Sequence, residues 1–232
     1  MTDQLVALPF LGLNPLPWQR PSLGTFSTWI NRTPTALSTA TATDNPNGLP
    51  LVIQAKEDAQ SSYALTALLK PAPASTPWTI TVAVAGVSNC AKGGVWFYPI
   101  VLRNSGTDKA VAFTWGSQPA NLNQVAIAQV SHFTNVSTGQ SATQELLTAT
   151  ADMGFPFSDY FAWFRIRNDG TNLVFSVSQE GVLFLDLPYS ETLASFIGAV
   201  DQVGFGVERL NNPAASFTPD VAIPLWSWVE GP

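Results

Sequence analysis

Cysteine is almost missing from this chain. Cys90 stands alone in 232 residues, so no intrachain disulfide can form, and a reducing cytosol is the expected place of folding. Charge is also scarce. Asp, Glu, Lys and Arg together make up 11% of the chain, where ordinary globular domains carry about 25%. A free monomer normally needs charge to keep its surface apart from its neighbours. Such a deficit, beside eight Trp, points either to a surface that meets another chain or to one built from Thr, Ser, Asn and Gln. Basic clusters are lacking too. Ten Lys and Arg are scattered through a chain of net charge −6, whereas nucleic-acid binding requires cations gathered against phosphates. Arg165 and Arg167 alternate on one strand face, but two arginines do not make such a surface, so no nucleic-acid partner is expected. No segment approaches the roughly 20 apolar residues that span a bilayer, so no membrane partner is expected either. Asp3 stands where a secretion signal carries a basic residue, and prolines break the apolar run that follows. Without secretion, the sequons at Asn31-Arg32-Thr33 and Asn135-Val136-Ser137 carry little weight.

What is present is β-strand. The most informative stretch runs from Tyr160 to Pro188. It reads as three consecutive strands closed by Asn168-Asp169-Gly170 and by Gln179-Glu180-Gly181, residue types that tolerate the positive φ of tight turns. Upstream, Trp78, Ile80, Val82 and Val84 alternate with Thr79 and Thr81, a half-buried strand. Residues 94–102 are apolar on both faces, hence central, and Pro99 within them predicts a bulge or an edge position. Further strands are expected at 26–30, 51–55, 63–69, 110–115, 125–130 and 202–208, with a closing strand at 221–229. The Ala-rich 63–69 run also suits a helical turn. Gly204 and Gly206 share one face, which suits close backbone approach. Trp226 and Trp228 are expected to share a face as well. Residues 32–48 read as a loop, 70–77 as a proline-rich linker, and 131–159 as long loops with a strand. One short helix is expected over 190–197, capped by Ser190 with Glu191 in its first turn. About a dozen short strands indicate an all-β sandwich or jelly roll.

The first 22 residues differ in kind. They hold four prolines among Leu5, Leu8, Phe10, Leu11, Leu13, Leu16 and Trp18. Proline at that spacing forbids a continuous helix and removes ladder donors. An extended apolar segment cannot bury itself, so it must lie along its own domain or a neighbour. The expected division is an extended assembly arm over residues 1–25 followed by a sandwich over residues 26–232.

Five blocks in order, residues 76–82, 100–113, 163–171, 175–182 and 201–207, resemble the concanavalin A-like lectin/glucanase jelly roll. More narrowly, they resemble the form carried by virion proteins of tailed bacteriophages. The resemblance covers roughly residues 26–229 as a pattern of strands and turns and leaves the arm outside. It implies two packed antiparallel sheets. It also implies a structural component of a phage particle, folded in the host cytoplasm, whose partners are other virion proteins or copies of itself.

Fold does not fix chemistry; only particular residues can carry it. Glucanases of this fold set carboxylates as Glu-x-Asp-x-x-Glu along one strand, and that motif is missing here. Glu57 and Asp58 are adjacent and would face opposite ways, while Asp152, Asp159, Asp169, Glu180 and Asp186 fall mostly in turns. His132 is the sole histidine, and no Gly-x-Ser-x-Gly elbow accompanies it, so it reads as a partly exposed polar residue. Cys90 lies near Lys92 in a loop and reads as inert. Asp, Asn, Glu and His are too dispersed for a lectin metal pair, so no metal or cofactor and no catalytic residue is expected. A lectin-like site remains: Trp115, Gln118, Asn121 and Asn123 combine an aromatic platform with amide side chains, which suits a host-surface glycan. The same stretch suits a hairpin loop anchored by its Trp.

Overall fold

The computed structural model describes residues 23–30, 40–43, 51–55, 64–84, 95–116, 127–138, 147–149, 162–178, 180–209 and 221–232. These residues form fourteen strands: β1 (Thr28–Ile30), β2 (Ala40–Thr43), β3 (Leu51–Ala55), β4 (Ala64–Pro71), β5 (Trp78–Val84), β6 (Val95–Asn104), β7 (Lys109–Gly116), β8 (Ile127–Thr134), β9 (Leu147–Ala149), β10 (Ala162–Asn168), β11 (Asn172–Ser178), β12 (Leu185–Thr192), β13 (Gln202–Arg209) and β14 (Val221–Gly231). They pair antiparallel into two seven-stranded sheets. Sheet one runs β1-β4-β13-β6-β7-β8-β9, and sheet two runs β12-β11-β10-β5-β14-β3-β2. The Ala-rich 63–69 run is therefore strand, and the expected 32–48 loop contains β2, which pairs with β3.

The meander from β10 to β12 forms as the turn residues require. Gly170 has φ +93° and Gly181 φ +76°, both in the left-handed region. In the first turn Asn168 Oδ1 accepts from the Gly170 amide at 2.8 Å, and Asp169 Oδ1 accepts from Thr171 and Asn172 at 2.8 and 2.7 Å. These are side-chain turns that hold the hairpin shut.

The core lies between the sheets. Trp78, Ile80, Val82 and Val84 point into it, facing residues of sheet one such as Ile100, Leu102, Val111 and Phe113. Phe113 meets Phe164 and Phe175 edge-on, with centroids 5.4 and 5.3 Å apart. Phe26 does the same with Phe205 and Trp228 at 4.9 and 5.1 Å. Phe26 thus plugs the sandwich just after a single 3-10 turn over Leu23–Thr25. Strand β5 is not half-buried as expected: Thr81 and Ala83 on its other face are hidden as well. Arg165 covers part of that face, donating from Nε to Thr81 Oγ1 at 3.3 Å.

Two bulges set the phase of central strands. Gly204 pairs with Val101 and Gly206 with Tyr98, so Pro99 and Ile100 together face Phe205. The proline sits where the ladder is interrupted, which lets β6 remain central despite the missing N–H. In β14 the register shifts between Leu225 and Ser227. Leu225 and Trp228, three residues apart, both reach the core. The extra residue is Trp226, which overturns the expectation that Trp226 and Trp228 share a face.

The expected helix over 190–197 shrinks to one 3-10 turn, Leu193–Ser195. Ser190, Glu191 and Thr192 belong instead to β12, paired with Val174, Leu173 and Asn172. A helix this short is costly to nucleate, and the strand ladder offers the backbone a partner at once. Ser190 therefore caps nothing, and Glu191 is buried in the sandwich.

Sheet one carries a second apolar layer. On its outer face Ile30, Leu65, Ala67, Leu69, Tyr98, Val101, Ala110, Ala112, Phe133 and Val136 form a cluster separate from the core. Tyr98 and Phe133 meet edge-on at 5.7 Å, and Tyr98 Oη and Ser131 Oγ are hydrogen-bonded at 3.0 Å. Gly204 and Gly206 belong to this face, opposite Leu69 and Ala67. A Cβ on Gly204 would lie 2.8 Å from Leu69 Cα and closer still to Leu68 O, so here the close approach read from the sequence is real.

Candidate functional site

The residues singled out for function in the sequence do not converge within the described chain. Trp115 is placed in β7 opposite Ala128; Gln118, Asn121 and Asn123 lie outside the described residues. So do the arm residues Leu5, Leu8, Phe10, Leu11, Leu13, Leu16 and Trp18, and likewise Cys90, Lys92, Glu57, Asp58, Asp152 and Asp159.

Among the described residues, the polar side chains that do gather lie on the outer face of the meander. Arg165 and Arg167 project there from β10, as their alternation requires. The Arg165 guanidinium carbon lies over the Phe184 ring, 3.4 Å from its centroid. Burial is the main influence lowering its pKa, and Arg167 adds to that while Asp186 opposes it. Arg167 donates to Asp186 Oδ2 at 2.5 Å, and Ser176 Oγ donates to Asp186 Oδ1 at 2.6 Å. Asp186 is thus a strand residue, not the turn carboxylate expected. The segment from Glu180 to Phe184 folds back over this face. Ser178 Oγ accepts from the Gly181 amide at 2.9 Å, and a Cβ on Gly181 would strike the Trp163 indole at 2.5 Å. Beside this ledge stand Leu183 and Leu185, the exposed large hydrophobics among the described residues, at 73% and 54%. A cation over a ring, a second cation, a carboxylate and a hydroxyl can bind a polyhydroxylated ligand, whose hydroxyls the polar atoms meet.

Asp108, Asp201 and Glu230 are bonded within the scaffold. Asp108, at φ +54°, accepts from Arg103 at 2.9 Å and from the Ser137 hydroxyl at 2.6 Å. Burial alone would raise its pKa, but the bonds from Ser137 and Arg103 outweigh that and hold the carboxyl below its ordinary value. Asp201 accepts from the Ser105 amide at 2.9 Å, and Glu230 accepts from Trp228 Nε1 at 2.7 Å.

His132 corrects the sequence reading most sharply. It is buried, 5% exposed, and its Nε2 lies 2.9 Å from Oε2 of Glu191, itself 2% exposed. The imidazole stacks on Phe196 with centroids 4.0 Å apart and planes within 3°. Lys109 Nζ lies 4.8 Å from the centroid of the same ring and donates to the Phe196 carbonyl at 3.1 Å. Since β8 belongs to sheet one and β12 to sheet two, the pair bolts the sheets together. The available signal was phase: His132 is two residues from core Val130 and so faces inward. Among the described residues no group of three or more His, Cys, Asp or Glu is placed to hold a metal ion, and no helix is long and apolar enough to cross a membrane.

No family model matches the sequence, and no curated protein matches it. Solved structures do. A functionally unknown protein from Saccharomyces cerevisiae superposes with TM-score 0.57 at 13% identity, covering 91% of this chain and 98% of that one. The fold shared with it is an all-β sandwich of two antiparallel sheets. More distant matches are the CBM2 module of Dit from Lactobacillus casei BL23 phage J-1 (TM-score 0.47, 14% identity, 82% of this chain and 78% of that one) and the Lotus tetragonolobus seed lectin (0.42, 14%, 84% and 92%). At such identities the likeness concerns fold alone.

Proposed function

We propose that this chain is a non-enzymatic structural component of a phage virion, an appendage, tail or capsid-surface protein that is fastened to its neighbours through residues 1–25. The observation that carries this reading is the use of five carboxylates among the described residues. Asp108, Asp186, Glu191, Asp201 and Glu230 are all engaged by side chains or amides of the scaffold itself. Hydrolysis of a glycosidic bond needs two carboxylates left facing one bond; these are spent on rigidity. A rigid body with few surface charges and an apolar leader suits a subunit that works by being held in place. The test is a chain that begins at Leu23, supplied in place of the full chain during particle assembly. Loss of the protein from purified particles supports fastening through the leader; normal incorporation overturns it.

A second reading, carbohydrate binding for host attachment, is favoured by the ledge of Arg165, Phe184, Arg167, Ser176 and Asp186. A glycan array probed with the full chain tests it. Binding that weakens with Arg167→Ala, or with Trp115→Ala for the hairpin candidate, supports it, and no binding to any glycan class overturns it.

A further inference from the structure

The ledge on the outer face of the meander carries more positive charge than it neutralises. Among the described residues, the carboxylate acting on Arg165 and Arg167 is Asp186, and it bonds Arg167. No described carboxylate bonds Arg165. Its Nε donates to Thr81 Oγ1 at 3.3 Å, and its guanidinium carbon lies over Phe184. The two Nη groups have no hydrogen-bond partner among the described residues, yet they are not sealed from solvent. We propose that this fork seats the acidic group of a polyol, a sugar-like ligand carrying a carboxylate or a phosphate beside its hydroxyls. The proposal rests on the carbohydrate-binding reading above and adds which class of glycan the ledge selects.

Charge gives the first reason. Burial lowers the Arg165 pKa, Arg167 lowers it further, and Asp186 offsets only part of this. The charged guanidinium is therefore held at a cost, which an anion across the Nη fork relieves. A planar fork matches the paired oxygens of a carboxylate or phosphate. The contacts to Thr81 and Phe184 already hold the guanidinium in place, so little side-chain freedom is lost on binding. Hydroxyl recognition is supplied next door. Arg165 stands opposite Ser176 on β11, and Ser176 opposite Asp186 on β12. Two strand intervals of about 4.8 Å separate the outer pair, close enough for one sugar unit to reach both side chains. Asp186 accepts from Arg167 and from Ser176, and its side chain is still 52% exposed. A carboxylate has lone pairs for about two further donors, which ligand hydroxyls provide. An acidic peptide suits the ledge less well, because it brings few hydroxyls and meets Asp186 as like charge.

The test titrates the full chain with trigalacturonate, its trimethyl ester, glycerol 3-phosphate and triglutamate, following the side-chain N–H signals of Arg165 and Arg167 by NMR. Trigalacturonate should bind at least about tenfold more tightly than the ester, which keeps the hydroxyls and loses the charge. Equal affinities overturn acid selection and leave carbohydrate binding standing. Binding of glycerol 3-phosphate in place of trigalacturonate supports the proposal and makes phosphate the acidic group. Triglutamate binding as tightly as trigalacturonate overturns the polyol. No shift with any probe overturns the proposal, while the glycan array decides separately whether neutral glycans bind. Two substitutions then move the acid-to-ester ratio in opposite directions. Arg165→Gln should bring it near one. Asp186→Asn removes the competing negative charge and still accepts from Ser176, so the ratio should rise about two- to fivefold. Asp186 is half-exposed, so its variant carries the test even where Arg165→Gln disturbs β10. A ratio that Asp186→Asn leaves unchanged or lowers overturns the proposal.

Discussion

Replacing Glu191 by Ala strands His132 inside the sandwich. The two side chains are 6% and 2% exposed and joined at 2.9 Å, so water cannot replace the lost partner cheaply. A buried hydrogen bond to a charged group contributes about 1.5–3 kcal/mol, and the orphaned donor or acceptor adds its own desolvation cost. About 2–3 kcal/mol is expected for Glu191→Ala. His132→Ala should cost more, about 3–4 kcal/mol, because it also removes the stack on Phe196 and leaves a cavity between the sheets. The double variant should cost less than the sum, with a coupling of about 1.5–3 kcal/mol. Urea unfolding at pH 7 with unchanged m reads all four corners of the cycle. A coupling below about 0.5 kcal/mol would refute the claim that this pair bolts the sheets.

Four further outcomes follow from the geometry. Gly204→Ala must part β4 from β13, since the clash is with the backbone of Leu68 and Leu69; it should cost about 3 kcal/mol or abolish soluble expression, while Gly231→Ala, with nothing within 4 Å, should cost under about 1 kcal/mol by thermal melting. Phe113→Ala removes two edge-on ring contacts and should cost about 3–5 kcal/mol in the same assay. Asp108 has a lowered pKa in the folded chain, so the stability it contributes is present above the ordinary carboxylate value and is lost as pH falls through the folded value. Asp108→Asn, which still tolerates the positive φ, should therefore lose stability at pH 7 and lose its deficit in strong acid; a gap that stays constant across an acid titration would contradict this. Arg167→Ala breaks a half-exposed ion pair and should cost under about 1 kcal/mol, so any loss of glycan binding in that variant is a loss of contact and not of fold.

The sequence was legible where the cause is local. Turn residues fixed the β10–β11–β12 meander, alternation fixed β5, and Pro99 announced the bulge that β6 carries. It failed where the cause is distant. Glu191 looked like a helix N-terminal acid because its partners, Leu173 along the ladder and His132 across the sandwich, lie 18 and 59 positions away. Short-range propensity cannot see either. Trp226 and Trp228 looked like one face because a bulge in β14 leaves no mark in a run of apolar residues. The second apolar layer was hidden for a similar reason. Tyr98 and Val101 lie on one face only because two residues bulge out between Tyr98 and Val101, and Ala67, Ala110 and Ala112 are too small to signal burial by themselves. As for the site, the arginine alternation was visible, but its completion by Phe184 and Asp186 depends on how the Glu180–Phe184 segment folds back.

The central claim is that this jelly roll is a subunit of a phage particle. Quantitative mass spectrometry of particles purified through a high-salt wash measures it directly. The account predicts a fixed, whole-number count of this chain per particle; a count that falls to zero after washing would contradict it.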